Sequence, residues 1–244
     1  MVSKRIAIVA GKGGVGKSII SLSLAHYVPA SALLDLDLTM PSIPISIKGD
    51  VVLKDGWIYP VTKDGIEFFS LGYFGDDPLT WDSKRIKELI RTIFKSVKWS
   101  NHDYLFIDCP PGTDAVFQSV IPYLDVAIIV TTPSAASYTD AKRVIELLRD
   151  SGVPIAGEIR NMSYFKCDEC GHIYYFFNSI KHDFMLDIPL ILEIPLLELK
   201  EELIPQKYLP VEKVLNAIRN PQVDKRKENR ERKRRIMKEV LGIG

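Results

Sequence analysis

A short stretch near the N-terminus has the residue types and spacing needed to hold a chain of phosphates. It reads Gly11-Lys12-Gly13-Gly14-Val15-Gly16-Lys17-Ser18, after an apolar run and before an amphipathic segment. Glycines let backbone N–H groups converge on phosphate oxygens, Lys17 can reach the terminal phosphates, and the Ser18 hydroxyl can ligate Mg²⁺. An unliganded Gly-rich turn is the alternative, but chance produces this pattern only about 0.01 times in such a chain. The stretch therefore predicts a nucleotide site with bound Mg²⁺.

Carboxylates at the ends of two apolar runs supply the oxygen ligands that such a site needs. One run ends in Asp35-Leu36-Asp37, and the other ends in Asp108. Mg²⁺ and its waters need oxygen ligands beside the phosphates. Asp108 is the better candidate for the acidic residue that supports this Mg²⁺. For either aspartate alone, a structural role at a strand end or as a helix cap would be as good an interpretation as metal binding. Their combination with the Gly-rich loop favours phosphoryl transfer.

A second cluster has the spacing of a metal or cluster site. The segment Cys167-Asp168-Glu169-Cys170-Gly171-His172 contains two of the three cysteines, at a spacing that chance produces roughly 0.02 times. Two thiolates cannot complete a tetrahedral site, so a closed site needs His172 and another ligand, or a second chain. The third cysteine, Cys109, directly follows Asp108 and reads as a small buried residue.

The elements that must position these residues alternate between strand and helix patterns over 244 residues, of which 46% are hydrophobic. This rhythm predicts an α/β fold, a doubly wound and mostly parallel sheet with helices on both faces. The expected strands are 5–10, 32–36, 104–107, 126–131, 155–161 and 190–194, and the expected helices are 17–28, 84–97 and 141–150.

The chain divides most simply into one domain, residues 1–223, and a basic C-terminal tail, residues 224–244. Apolar runs are too short to cross a membrane and the N-terminus does not read as a secretory signal, so a cytoplasmic location is expected. The tail combines nine basic residues with apolar Ile236, Val240 and Ile243 at helical spacing. It is interpreted first as a helix packed on its own domain or on a dimer partner, with a membrane surface or nucleic acid as the alternatives.

The Gly-rich loop, with its additional Lys12, resembles the deviant Walker A motif of the ParA/MinD/nitrogenase-iron-protein group. Other segments, in the same order over residues 4–205, are similar to motifs of the Mrp/ApbC family of iron-sulfur carrier ATPases. Those segments are Asp37-Leu38-Thr39-Met40-Pro41-Ser42-Ile43-Pro44, Asp108-Cys109-Pro110-Pro111-Gly112-Thr113, Val130-Thr131-Thr132-Pro133, Asn161-Met162-Ser163-Tyr164-Phe165-Lys166-Cys167 and Glu193-Ile194-Pro195-Leu196, together with Trp81 and Trp99. The chain departs from the family at Met40, at Thr113-Asp114 and around Asn178-Ser179-Ile180, where the family usually has glycine.

The resemblance implies a slow, partner-regulated ATPase that works as a homodimer. By this resemblance, Lys12 contacts the nucleotide of the facing subunit, Asp37 positions the attacking water, and Asp35 supports Mg²⁺ through a water molecule. Asn161 would read the adenine edge, because an amide is both donor and acceptor, although an Asn there also suits a turn.

The resemblance also assigns Cys167 and Cys170 of two subunits to one [4Fe-4S] cluster, with zinc as the metal expected in aerobic preparations and apo iron-sulfur proteins as clients. Two alternative functions are a MinD/ParA-like positioning or partition ATPase and a metal-insertion or maturation ATPase. The CxxC favours the carrier function, and the basic tail favours the positioning function.

Because no residue of the predicted nucleotide site lies in the tail, deletion of residues 224–244 should leave ATP affinity unchanged within about twofold. Titration of full-length and truncated protein with a fluorescent ATP analogue measures this. Loss of affinity in a truncated protein that still melts cooperatively would place the tail inside the ATPase domain.

Overall fold

The computed structural model describes residues 2–37, 47, 49–74, 82–175, 185–198 and 203–222, and the structural statements below concern this part of the chain. The tail 224–244, the segment 38–46 that follows Asp37, Trp81 and residues 178–180 lie outside it. No helix in the described part is long and apolar enough to cross a bilayer.

One large sheet organises the molecule, with the strand order β12-β9-β8-β1-β7-β2-β6-β5. Its strands are β1 Val2–Val9, β2 Ser31–Asp35, β5 Val61–Lys63, β6 Ile66–Ser70, β7 His102–Asp108, β8 Val126–Thr131, β9 Ile155–Arg160 and β12 Leu190–Glu193. Neighbouring strands are parallel except at the β5–β6 edge. The predicted mostly parallel sheet is therefore confirmed.

Helices cover both faces of this sheet. They are α1 Lys17–Tyr27, α2 Ser83–Ser96, α3 Ala115–Val120, α4 Ala135–Ser151 and α5 Val211–Arg219. Alternate residues of the central strands point into two separate apolar cores: the α1 and α5 face contains Ile6 and Ile8, and the α2, α3 and α4 face contains Ala7 and Val9. This two-sided burial explains why the central strands read as continuous apolar runs.

Two small hairpins lie outside the large sheet. One pairs β3 Val52–Lys54 with β4 Trp57–Tyr59, and the other pairs β10 Phe165–Lys166 with β11 Ile173–Tyr174. The β3–β4 and β5–β6 hairpins both turn through an Asp-Gly pair in which both residues have positive φ. That geometry is typical of the tight two-residue turn that joins antiparallel strands.

The strand and helix predictions were right in type, and the differences are at boundaries and in short elements. Helix α4 begins at Ala135 rather than at Ala141, because the Ser134 side chain caps it by accepting a hydrogen bond from the Ser137 N–H. The hairpins, α3 and α5 were not predicted because each is short and only partly apolar.

Candidate functional site

The Gly-rich loop joins β1 to α1 at the carboxyl edge of the sheet, and two of its glycines are required by close neighbours. Gly16 precedes α1 with φ 85°, in the left-handed region, and a Cβ there would overlap the Asn161 amide nitrogen. A Cβ on Gly11 would overlap the backbone of Asp140 and Ala141 in α4. Other residues would therefore displace the loop from both neighbours.

Lys17 is buried at the first position of α1 and forms an ion pair with Asp108 at the end of β7. The Lys17 Nζ lies 2.6 Å from Asp108 Oδ1. Burial alone would lower the pKa of Lys17, but the charge of Asp108 and its hydrogen bond outweigh burial, so the pKa of Lys17 is raised above its ordinary value. The ammonium is thus held charged beside the loop before any phosphate arrives.

The second oxygen of Asp108 is the feature that best fits a metal-bound water. Asp108 Oδ1 also accepts a hydrogen bond of 3.2 Å from the Ser21 hydroxyl, whereas Oδ2 is buried without a hydrogen-bond partner among the described residues. A buried carboxylate oxygen without a partner is costly, and Mg²⁺ with its water shell supplies the missing donor. The fully buried position of Asp108, beside Lys17 and Ser21, therefore fits Mg²⁺ bound with phosphates.

Asp35 ends β2 directly beside Asp108 in the strand register. Its Oδ2 accepts a hydrogen bond of 2.9 Å from the Ser70 hydroxyl, and its Oδ1 accepts one of 3.0 Å from the Asp37 N–H. Burial and then the charge of Asp108 raise the pKa of Asp35 to about 7. Asp35 thus holds the start of the segment that carries Asp37, and its role toward Mg²⁺ stays a prediction.

Two loop residues predicted to act on phosphates are accessible. Lys12 and Ser18 are half-buried, and Lys12 forms no ion pair with any residue that the structure describes. Asp37 is half-buried at the last described position before residue 38. The roles of Lys12, Ser18 and Asp37 toward phosphate, Mg²⁺ and water therefore stay predictions.

Asn161 follows β9 and is bonded to the loop itself. Its side-chain nitrogen donates to the Val15 carbonyl at 3.0 Å, and its backbone N–H donates to the Thr131 carbonyl at 2.8 Å. One of the two side-chain N–H groups is therefore used, and the second N–H and the side-chain oxygen are left to donate to and accept from the adenine edge. The proposed adenine contact remains a prediction.

A charged network beside Asn161 was not predicted from the sequence. The Thr131 hydroxyl donates to buried Glu158, and Arg160 donates to Glu158 at 3.2 Å and to Glu193 at 2.9 Å. The Arg160 guanidinium also lies over the Tyr138 ring, 5.5 Å from its centroid. This network joins β8, β9, β12 and α4 at the edge where the nucleotide is expected.

The CxxC lies in the turn between β10 and β11. The Cys167 N–H donates to the His172 carbonyl at 2.9 Å, and the Gly171 N–H donates to the Cys167 carbonyl at 2.8 Å. Backbone N–H groups of Cys170 and Glu169, together with the Cys170 thiol, lower the pKa of Cys167 and so favour its thiolate. Three metal-ligating side chains do not gather at one point among the described residues, so His172 does not complete a site with the two cysteines.

The third cysteine has the environment expected of a structural residue. Cys109 is fully buried in the core under α2, α3 and α4, and burial raises the pKa of its thiol. A neutral buried thiol is a poor nucleophile and a poor metal ligand.

The structure brings Lys17, Asp35, Asp108 and Asn161 together around the Gly-rich loop and places the CxxC on its own hairpin. Ser21 and Ser70 were missed by sequence reasoning. Ser21 lies one helical turn after Lys17, so helical spacing would have placed it on the same face. Ser70 touches Asp35 only through the pairing of β2 with β6, which spacing along the chain does not reveal.

The raised pKa of Asp35 predicts a pH-dependent effect of Asp35→Asn on stability. Because the folded-state pKa of about 7 exceeds the ordinary value of 3.8, stability from this group is present at low pH and is lost as pH rises from about 4 to 7. Asp35→Asn cannot lose a proton, so it avoids that loss. Its free energy of unfolding, measured relative to that of wild type, should therefore rise by on the order of 2 kcal/mol between pH 5 and pH 8. Thermal melting without nucleotide or Mg²⁺ measures it, and a difference independent of pH would contradict a raised pKa.

Comparison with known proteins places this geometry in a family. A family model described as ParA, NUBPL iron-transfer P-loop NTPase, matches residues 1–212. The iron-sulfur cluster carrier protein of Rickettsia felis is 38% identical over 207 residues, covering 80% of this chain and 62% of that protein. The carrier protein of the same name from Methanocaldococcus jannaschii is 38% identical over 187 residues, covering 70% of this chain and 64% of that protein. The chain thus spans less than two thirds of the length of these relatives.

Solved structures share the fold. A nucleotide-binding protein from Archaeoglobus fulgidus, in complex with ADP and with cobalt found in it, has a TM-score of 0.64 and 30% identity, covering 87% of this chain and 86% of that one. The septum site-determining protein MinD of Pyrococcus horikoshii, complexed with Mg-ADP, has a TM-score of 0.57 and 23% identity, covering 89% of this chain and 93% of that one. The resemblance seen in the motifs is confirmed, and the chain belongs to the ParA-type iron-transfer P-loop NTPase family.

Proposed function

We propose that this protein is a dimeric, ATP-hydrolysing carrier in which the CxxC turns of two subunits hold one iron-sulfur cluster. The observation that carries the proposal is the half-complete thiolate site, Cys167 and Cys170, on a chain that also contains a P-loop with a buried Lys17–Asp108 pair. Two ligands per chain become four around a two-fold axis. Four thiolates are what a [4Fe-4S] cluster, or zinc in aerobic preparations, requires.

The surface around the CxxC supports a second copy as the other half of this site. Phe165, Ile173 and Tyr174 expose large parts of their side chains on the same hairpin as the two cysteines. A symmetric contact through this hairpin would cover apolar surface and bring the two thiolate pairs together. Clients would then receive the cluster after this contact opens.

Nucleotide binding is proposed to act through the residues already paired in the described structure. On binding Mg-ATP, the Lys17 ammonium would turn from Asp108 to the terminal phosphates. The Ser18 hydroxyl and Asp108 would hold Mg²⁺ directly or through water, and the ion would supply neutralisation of the charge that develops on the phosphates. Asp37 then orients the water that attacks the terminal phosphorus as the bond to ADP breaks, giving ADP and phosphate. The Asp35 carboxylate keeps Asp37 in place by accepting a hydrogen bond from its backbone N–H.

Lys12 is proposed to couple nucleotide to dimerisation. Its side chain has no ion pair among the described residues of its own chain, so it remains available to a phosphate of the facing subunit. The dimer would then be favoured by ATP and not by ADP.

Lys12→Ala should weaken the ATP-dependent dimer by about fivefold to a hundredfold while changing monomer ATP affinity little. Light scattering with ATP and with ADP measures dimerisation. The control is Lys142→Ala, which removes an exposed lysine from α4. Lys17→Ala serves as the reference variant that loses nucleotide binding. Equal ATP-dependent dimerisation of wild type and Lys12→Ala would remove Lys12 from this role.

Cluster loading provides the direct test of the carrier function. Anaerobic reconstitution with iron and sulfide should give about four iron per dimer, and Cys167→Ser or Cys170→Ser should abolish it. Iron analysis combined with size-exclusion chromatography shows both content and oligomeric state. Cys109→Ser is the matched control, because that thiol is fully buried in the core and should leave loading intact.

Two outcomes would reject the carrier proposal. One is a wild-type dimer that takes up no iron, and the other is a Cys167→Ser/Cys170→Ser double variant that retains iron. In either case ATP-dependent dimerisation without metal would favour a positioning or partition ATPase, or a maturation ATPase whose metal is bound elsewhere.

A further inference from the structure

Helix α2 carries an excess of positive charge that its own domain does not use. Its basic residues are Lys84, Arg85, Lys87, Arg91 and Lys95, and Glu88 is its one acidic residue. Positions 84, 87, 91 and 95 recur at intervals of three and four, so they form one stripe along the helix. These four side chains are exposed, and none forms an ion pair with a residue in the described ranges.

The opposite side of α2 is fixed to the domain, so the stripe faces outward. Ile90 and Ile93 are buried in the core beneath the helix, and Phe94 stacks on Tyr123 with ring centroids 4.2 Å apart. The helix therefore cannot turn its apolar face toward a partner. The exposed side carries the four cations together with Glu88, so positive charge predominates there.

An apolar hairpin adjoins the C-terminal end of this helix. Ile58 of β4 packs on the same core, and its carbonyl accepts a hydrogen bond of 2.8 Å from the Lys98 N–H. On the same hairpin, Val52 is 54% exposed, Leu53 is 66% exposed and Trp57 is 42% exposed. These three large apolar side chains lie on one small sheet beside the C-terminal end of the basic stripe, Val52 and Trp57 on one face and Leu53 on the other.

A lysine and two aromatic side chains connect the C-terminal end of α2 with the β3–β4 hairpin. The Lys98 Nζ lies 5.6 Å from the ring centroid of Trp57 and 5.6 Å from that of Tyr59. Lys54 is exposed and pairs with Trp57 across the hairpin. Aromatic rings beside lysines, with aliphatic side chains next to them, are the combination found at the boundary between lipid headgroups and acyl chains.

We propose that the α2 stripe and the β3–β4 hairpin form a docking surface for a bilayer that contains anionic phospholipids. The cations of α2 bind headgroups, while Val52, Leu53 and Trp57 enter the interface beside them. Nucleic acid would account for the cations and for Trp57, but not for the exposed aliphatic Val52 and Leu53. Charge complementarity and these aliphatic side chains together favour lipid.

The hairpin end of this surface lies at the end of the sheet opposite the nucleotide site. Lys98 closely precedes His102, which starts β7, whereas Asp108 ends the same strand beside the Gly-rich loop. Docking on a bilayer would therefore leave nucleotide binding unobstructed.

The test uses the full chain and vesicles of phosphatidylcholine with about 30% phosphatidylserine, compared with vesicles of phosphatidylcholine alone. Wild type should partition onto the anionic vesicles more strongly, as measured by cosedimentation. The triple variant Lys87→Gln/Arg91→Gln/Lys95→Gln should lower that partition by about tenfold or more. Val52→Ser/Leu53→Ser should lower it severalfold without changing net charge.

The matched control is Lys142→Gln/Lys207→Gln/Lys213→Gln, which removes the same charge from exposed lysines elsewhere and should bind anionic vesicles nearly as wild type does. Unchanged melting and ATP affinity show that every variant is folded. Equal binding of wild type to both vesicle types, or wild-type binding by both the stripe and hairpin variants, overturns the proposal. So does loss of binding to a duplex DNA probe by the stripe variant while its vesicle binding is unchanged.

Discussion

The buried pair between Lys17 and Asp108 is the interaction on which the nucleotide site depends. It joins the first turn of α1 to the end of β7, and both side chains are almost fully inaccessible to solvent. Removing one member of a buried pair leaves an uncompensated charge, which costs several kcal/mol, so each member needs a substitute when the other moves. Phosphates can take the place of Asp108 as the ion-pair partner of Lys17. A hydrated Mg²⁺ can likewise take the place of Lys17 as the partner of Asp108. The two side chains thus carry the charges that Mg-ATP would exchange.

A second constraint is the close approach of the Gly-rich loop to its neighbours. Gly11 lies against α4 and Gly16 lies against Asn161, so the loop is held between the helix that follows β8 and the residue that follows β9. Asn161 in turn bonds to Thr131 and Val15, and Arg160 beside it connects to Glu158. Movement of the loop on binding phosphate would therefore also shift the residues that follow β8 and β9.

The same region leads directly to the cysteines. After Asn161 the chain is held to the segment following β12, where the Ser163 N–H donates to the Ile194 carbonyl and the Leu196 N–H donates to the Tyr164 carbonyl. The β10 strand and Cys167 follow at once. A short, hydrogen-bonded segment thus links the nucleotide site to the CxxC turn, as the proposed ATP-dependent carrier function requires. The apolar hairpin of β3 and β4 lies at the other end of the sheet, which separates the proposed docking surface from the CxxC turn.

The sequence by itself determined the P-loop, the two acidic strand ends and the CxxC, because each is a local pattern whose chemistry depends on residues close together in the chain. Periodicity likewise predicted the central parallel strands, which are apolar on both faces. Only the tertiary structure decided that Ser70 bonds Asp35, that Glu158 and Arg160 support the end of β9, and that Lys98 lies between Trp57 and Tyr59. These contacts join residues on different strands and helices, and strand order and register, which no local pattern encodes, bring them within reach.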